Sequence, residues 1–281
     1  MLKFHWIYRD FIKANNICND ESMWVDSIIK IYFKVHWKLL NDIHFTPKGF
    51  SSKKEILSKI DQLGKCYYNN LLLELEKAEE FEDKIIELAE NILNKFGEVV
   101  IDKDIYIIVG LGVSNIYSIE HTGQEITVIC LESVKDDISK IRFLLSHECH
   151  HWLRQSLMKN NIFESCIGER LTTEGLASLF TAQLYPGFKT SEYCYVPQET
   201  VEWVVKNKVE IAEKIVDNLK YNDLSNPLFS RYPHKQINNN MPKRSGYVFG
   251  FLKAEEYSKR LGENAVELVG VKWEKMFSAS S

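Results

Sequence analysis

Apolar side chains recur at Trp24, Val25, Ile28, Ile29, Tyr32, Val35 and Leu39, close to the 3.6-residue period of a helix, with Asp20 or Ser22 in position to cap its start. Thr46-Pro47-Lys48-Gly49 breaks this pattern, and Ser51 or Ser52 opens a second helix. A longer helix is predicted from about Asn70 to Phe96, with Leu72, Leu75, Phe81, Ile85, Leu88, Ala89 and Ile92 on its inner face and Gly97 as its stop. Glu76, Lys77, Glu79 and Glu80 read as its solvated face.

The pattern changes after Gly97. Val99-Val100-Ile101, the run from Ile105 to Gly110 and the run from Ile126 to Leu131 are short and rich in β-branched residues, and are read as strands. Gly110-Leu111-Gly112 lacks the full spacing of a dinucleotide loop and is read as a turn. An amphipathic helix follows, with Asp136 and Asp137 in its first turn and apolar residues at Ile138, Ile141, Leu144, Leu145, Cys149, Trp152 and Leu153. Further helices are predicted from about Thr172 to Leu184, Glu199 to Leu219 and Ser245 to Leu261. A connection rich in Asn and Pro (Asn226-Pro227, Tyr232-Pro233, Asn238 to Asn240, Pro242) precedes the last of them. The fold class expected is α+β: an N-terminal helical region over residues 1–97, then a small mixed β-sheet and a helical region over residues 98–281.

Composition narrows the function. The 281 residues carry a formal charge of −4, and the most basic stretch, His234 to Arg244, holds only Lys235, Lys243 and Arg244. A nucleic-acid partner is therefore not expected. No apolar run is long enough for a signal core or a membrane span, so no membrane partner is expected. Cys18, Cys66, Cys130, Cys149, Cys166 and Cys194 are scattered with no CxxC pair, which suits reduced thiols in a cytoplasmic protein.

The segment His147-Glu148-Cys149-His150-His151 contains H-E-x-x-H inside the predicted helix. Positions four apart share a helix face, so His147 and His151 can reach one ion. Glu148 lies about 100° further round the helix, where its carboxylate can approach an attacking water without ligating the metal. A catalytic zinc commonly takes three protein ligands. The metzincin extension is absent, since Arg154 and Leu157 stand where Gly and His would be needed. Cys130 lies within a strand pattern and does not suit a deformylase-type ligand. Downstream, Glu174-Gly175-Leu176-Ala177 offers a carboxylate on another helix, whose small Gly175 and Ala177 would let it pack close to the first. Glu169, 18 positions after His151, competes with Glu174 for the third place. His150 faces away from the other two imidazoles, and Cys149 and Trp152 read as packing residues.

The pair of motifs H-E-x-x-H and E-G-x-A resembles the gluzincins, in which the Glu of the second helix is the third zinc ligand. More narrowly, the sequence resembles the YjaZ-like family of predicted Zn-dependent proteases, through His147-Glu148-Cys149-His150-His151, Glu174-Gly175-Leu176-Ala177 and Gly246-Tyr247-Val248-Phe249-Gly250. The resemblance covers roughly residues 100–262. It implies a zincin-like catalytic domain over residues 98–281, with one Zn²⁺ held by His147, His151 and Glu174. The 23 positions from His151 to Glu174 exceed the spacing of thermolysin-like enzymes and imply a longer connection between the helices.

The function expected is hydrolysis of peptide bonds by a zinc-activated water, with Glu148 as the general base. Tyr247, between Gly246 and Gly250, is the candidate donor to the oxyanion, ahead of Tyr232, His234 and Arg244. The strand from Ile126 to Leu131 is the expected sheet edge for an extended peptide or protein substrate. No G-x-M-E-N segment of the aminopeptidase gluzincins precedes the active helix, which favours an endopeptidase. The alternatives are a metal-binding regulatory module without turnover and a zinc hydrolase of a non-peptide amide.

Overall fold

Four strands, β1 (Leu2–Trp6), β2 (Lys103–Ile108), β3 (Ile116–His121) and β4 (Gln124–Cys130), form one mixed sheet in the order β1-β2-β4-β3 in the computed structural model of the chain. The structure describes residues 1–18, 20–45, 52–77, 80–112, 116–134, 138–158, 166–215, 218–221, 228–229 and 241–278. Outside the described residues lie Thr46 to Gly49, Ser51, Glu79, Asp136, Asp137, Tyr232, His234 and most of the Asn- and Pro-rich connection. The described residues are mainly helical, so the fold is α+β.

The sheet pairs β1 with β2 and β2 with β4 in parallel, and β4 with β3 antiparallel. Thr122 and Gly123 both have positive φ, 51° and 78°, which makes the tight hairpin between β3 and β4. Two expectations are corrected here. Val99 to Ile101 is not a strand, whereas β1 and β3 are. The segment Ile126 to Leu131 is not a sheet edge, because β4 is hydrogen-bonded on both sides and the edges are β1 and β3. Burial follows: every residue from Ile126 to Leu131 is buried, as an inner strand requires.

The chain divides into two units, Met1–Leu88 with Val100–Ile141, and Ala89–Val99 with Arg142–Ser281. The sheet therefore belongs with the N-terminal helices. In the first unit these are α1 (Tyr8–Ile17), α2 (Glu21–Ser27), α3 (Trp37–His44), α4 (Lys53–Leu63), α5 (Asn69–Lys77) and most of α6 (Phe81–Leu93). The first long helix predicted is interrupted by a π-helical stretch, Ile28–Phe33, and the second by Glu80, whose φ is 58°. Asp20 caps α2 by accepting from the Ser22 N–H at 2.9 Å, and Ser52 caps α4 by accepting from Glu55 at 3.3 Å. The core here is aromatic: Phe11, Trp24, Tyr32 and Tyr68 pack edge-on or tilted and are almost fully buried.

The second unit carries all but the first residue of α7 (Ile141–Met158), with α8 (Ile167–Leu184), the short α9 (Thr190–Tyr193), α10 (Gln198–Ile215), α11 (Ser245–Leu261) and α12 (Trp273–Phe277). The amphipathic reading of α7 needs correction, because every residue from Phe143 to His150 is buried and its centre is enclosed on all sides. Gly175 on α8 meets Gly250 on α11, where a Cβ would fall 2.3 Å from the Gly250 carbonyl oxygen. That glycine thus serves the crossing of α8 with α11, rather than the approach of α8 to α7. Arg154 ties the layers together, donating to Glu169 on α8 and to the carbonyls of Val269 and Val271.

Candidate metal centre

The site is built on two buried helices. His147 and His151 stand one turn apart on α7, with ring centroids 4.6 Å apart and planes at 89°. Glu174 on α8 brings its Oε2 to 3.1 Å from His147 Nε2 and 3.4 Å from His151 Nε2. The hydroxyls of Ser146 and Thr181, 3.0 Å apart, link the same two helices two turns further along α8. Among the described residues, His147, His151 and Glu174 form the one group of three ligand-type side chains whose donor atoms all lie within 4.8 Å of one another.

This donor set fits a single divalent cation. Ligand atoms about 2.0–2.1 Å from a tetrahedral zinc are separated by roughly 3.3 Å, and the two separations from Glu174 bracket that value. Two neutral imidazoles and one carboxylate are a donor set that zinc accepts. The Nδ1 atoms of His147 and His151 are buried and find no hydrogen-bond partner among the described residues. The Nε2 atoms, not the Nδ1 atoms, face the carboxylate.

Electrostatics pull the members apart. Burial lowers the pKa of His147, and neighbouring His151 lowers it further against the pull of Glu174. For His151 burial also acts downward, but the Glu174 and Glu148 carboxylates outweigh it and the net shift is upward. Burial would raise Glu174, yet the two imidazoles hold it well below the usual carboxylate range. The site therefore keeps its carboxylate ionised.

Glu148, between the two histidines in sequence, is buried, and its charge reaches His151, Cys149 and Tyr195. Glu169 lies elsewhere: its Oε1 accepts from Arg154 Nε at 3.0 Å and Nη2 at 2.6 Å, and from Thr173 Oγ1 at 3.2 Å. His150 is fully buried, with Nε2 3.1 Å from the Ala265 carbonyl, and burial lowers its pKa to about 3, so it is a neutral packing residue. Cys149 and Trp152 are core residues.

Two residues from the start of α11 approach the site. Arg244 has φ 64° and holds its guanidinium 4.5 Å from the centre of the Tyr247 ring. Burial, then the Glu174 charge, raises the Tyr247 pKa, while Arg244 opposes the rise. Tyr232 and His234 lie outside the described residues.

Sequence reasoning missed Tyr195. It follows α9, and its ring stands edge-on to His147 at 5.7 Å. No periodicity or motif marks it; the one local cue is its place two residues before Pro197, in a turn rather than a helix.

Residues 89–278 match the family described as Predicted Zn-dependent protease (DUF2268), and the chain belongs to that family. The match spans the whole of the second unit's site. Neither curated proteins nor solved structures yield a significant match.

Proposed function

We propose that the protein is a zinc-dependent endopeptidase in which His147, His151 and Glu174 hold one Zn²⁺. The observation that carries this is the convergence of two imidazole nitrogens on one part-buried carboxylate oxygen at 3.1 and 3.4 Å. Family membership supports the same reading. The absence of an amine-anchoring G-x-M-E-N segment before α7 favours internal peptide bonds.

When bound, the metal supplies Lewis-acid chemistry, polarising the scissile carbonyl and acidifying water. Glu148 takes a proton from the attacking water as its oxygen bonds to the carbonyl carbon, then delivers that proton to the amine nitrogen as the C–N bond breaks. Tyr247 donates its O–H to the carbonyl oxygen as negative charge develops there, with the Arg244 guanidinium over its ring strengthening the donor. Among the described residues no helix is long and apolar enough to cross a membrane, and all six cysteines are free, which supports action in the reducing cytoplasm on peptide or protein substrates.

Metal analysis of purified protein, followed by a peptide-library cleavage assay with and without a chelator, tests the proposal. About one zinc per chain and chelator-sensitive cleavage are expected. Glu148→Gln should retain the zinc and lose activity by about 10²–10⁴-fold. Zinc uptake with no cleavage of any library member would favour a metal-binding module without turnover.

A further inference from the structure

The roles given to the histidines, Glu148, Glu174 and Tyr247 leave the Tyr195 hydroxyl beside the site without a task. Tyr195 sits at φ 53°, in the left-handed region that non-glycine residues rarely occupy. Its hydroxyl is buried and makes no hydrogen bond to any described residue. Leaving a buried hydroxyl unpaired costs roughly 1–3 kcal/mol. Tyr193, two residues earlier, shows the alternative: its hydroxyl donates to the Tyr185 carbonyl at 2.6 Å and accepts from the Phe188 N–H at 3.0 Å. Tyr193 is satisfied within the fold, whereas Tyr195 is held at a left-handed φ beside His147 with its hydroxyl unpaired among the described residues.

Its surroundings say what would satisfy it. The ring packs against His147, whose Nε2 faces Glu174. The groups acting on the phenol include Glu148, Arg244 and Glu174, which also frame the proposed centre. No described residue supplies an acceptor for this donor, and a substrate carbonyl oxygen bound beside His147 would.

We propose that Tyr195 is a second catalytic residue: its hydroxyl donates a hydrogen bond to the scissile carbonyl oxygen as that oxygen becomes an oxyanion. The inference rests on the peptidase reading of the site. As water attacks the carbonyl carbon, the π-electron pair of the C=O bond moves onto oxygen, and Tyr195 keeps its proton throughout. Tyr195 and Tyr247 then form two arms of one hole, the first beside His147 and Glu148, the second beside Glu174 and Arg244.

Calorimetry on zinc-loaded protein separates this role from a structural one. Two probes are used: an N-phosphoryl dipeptide, which presents a tetrahedral anion, and a mercaptoacyl dipeptide with the same side chains, which binds through sulfur and presents none. Tyr195→Phe should weaken the phosphoryl probe by about 10²-fold, the usual loss for one oxyanion donor, and leave the thiol probe unchanged. Unchanged affinity for both probes, or equal loss for both, would overturn the proposal. The second outcome would mark a residue that only shapes the pocket or orients Glu148. Should Tyr195→Phe lose zinc or unfold, 3-fluorotyrosine at position 195 retains the shape and is a stronger donor. Selective tightening of the phosphoryl probe then supports the proposal, and no change overturns it. If the wild type takes up no zinc or binds neither probe, the peptidase reading itself fails and this inference falls with it.

Discussion

Gly175 and Gly250 meet where α8 crosses α11, so closely that a Cβ on Gly175 would lie 2.3 Å from the Gly250 carbonyl oxygen, and one on Gly250 would lie 2.4 Å from the carbonyl oxygen of Leu171. Gly175 adjoins Glu174, and Gly250 lies one turn from Tyr247. The contact thereby sets where Glu174 on one helix lies relative to Tyr247 on the other.

Gly175→Ala therefore tests the crossing. Overpacking costs about 1–3 kcal/mol, occasionally more, and a clash with rigid backbone belongs at the upper end. Alanine's advantage over glycine in a helix, about 1 kcal/mol, recovers only part of it. Denaturant unfolding should show a net loss, and zinc affinity should fall as Glu174 is displaced. Unchanged stability with unchanged zinc affinity would mean that the helices part without moving the site.

The third ligand is tested by a pair of variants. Glu174→Gln removes the charge that faces both imidazoles and should abolish stoichiometric zinc, as should His147→Ala or His151→Ala. Glu169→Gln should keep its zinc, because that carboxylate is engaged by Arg154 at 2.6 Å. Zinc analysis giving the reverse pattern would move the site to Glu169.

Arg154 and Glu169 are an ion pair with side-chain exposures of 2% and 12%. Arg154→Met strands the carboxylate and leaves the Val269 and Val271 carbonyls without their donor, so unfolding should show a loss of about 3–5 kcal/mol. Arg154→Met with Glu169→Leu should be less damaging than Arg154→Met alone, since no buried charge remains unpaired. A double variant as unstable as the single one would place the cost in the carbonyls instead.

Tyr247→Phe removes one hydroxyl and leaves the packing against Phe229 intact. Zinc content and melting temperature should hardly change, while the turnover number should fall by roughly 10²–10³ and the Michaelis constant much less. Equal turnover in the two proteins would remove Tyr247 from the catalytic machinery.

Glu132, in the first unit, supplies a pH dependence with a defined sign. Burial raises its pKa from 4.5 to about 7, against the pull of the backbone N–H groups of Gly110 and Gly112 that it accepts. Between these values the folded state holds a proton that the unfolded chain has released. Stability is therefore full below about pH 4.5 and declines as pH rises through 7, by on the order of 3 kcal/mol. Glu132→Gln should flatten this part of the stability–pH curve. A decline of the same size in the variant would assign it to another group.

Local pattern alone determined much of this protein. Helices such as α11 follow from apolar spacing and a glycine stop, and H-E-x-x-H puts two imidazoles on one helix face because the α-helical repeat is a property of the backbone itself. Spacing along the chain carries less information about partners. Glu169 and Glu174 both lie on α8, yet Glu169 pairs with Arg154, a residue of another helix, while Glu174 faces the histidines. Only the tertiary structure decided that Ile126 to Leu131 is an inner strand, because it pairs with β2 on one side and on the other with β3, which local pattern did not mark. The same holds for Tyr195: no repeat marks it, and its closeness to His147 arises because the turn after α9 is folded back beside α7. Periodicity is set by dihedral angles within a few residues, whereas partner choice is set by burial and charge among groups that only folding brings together.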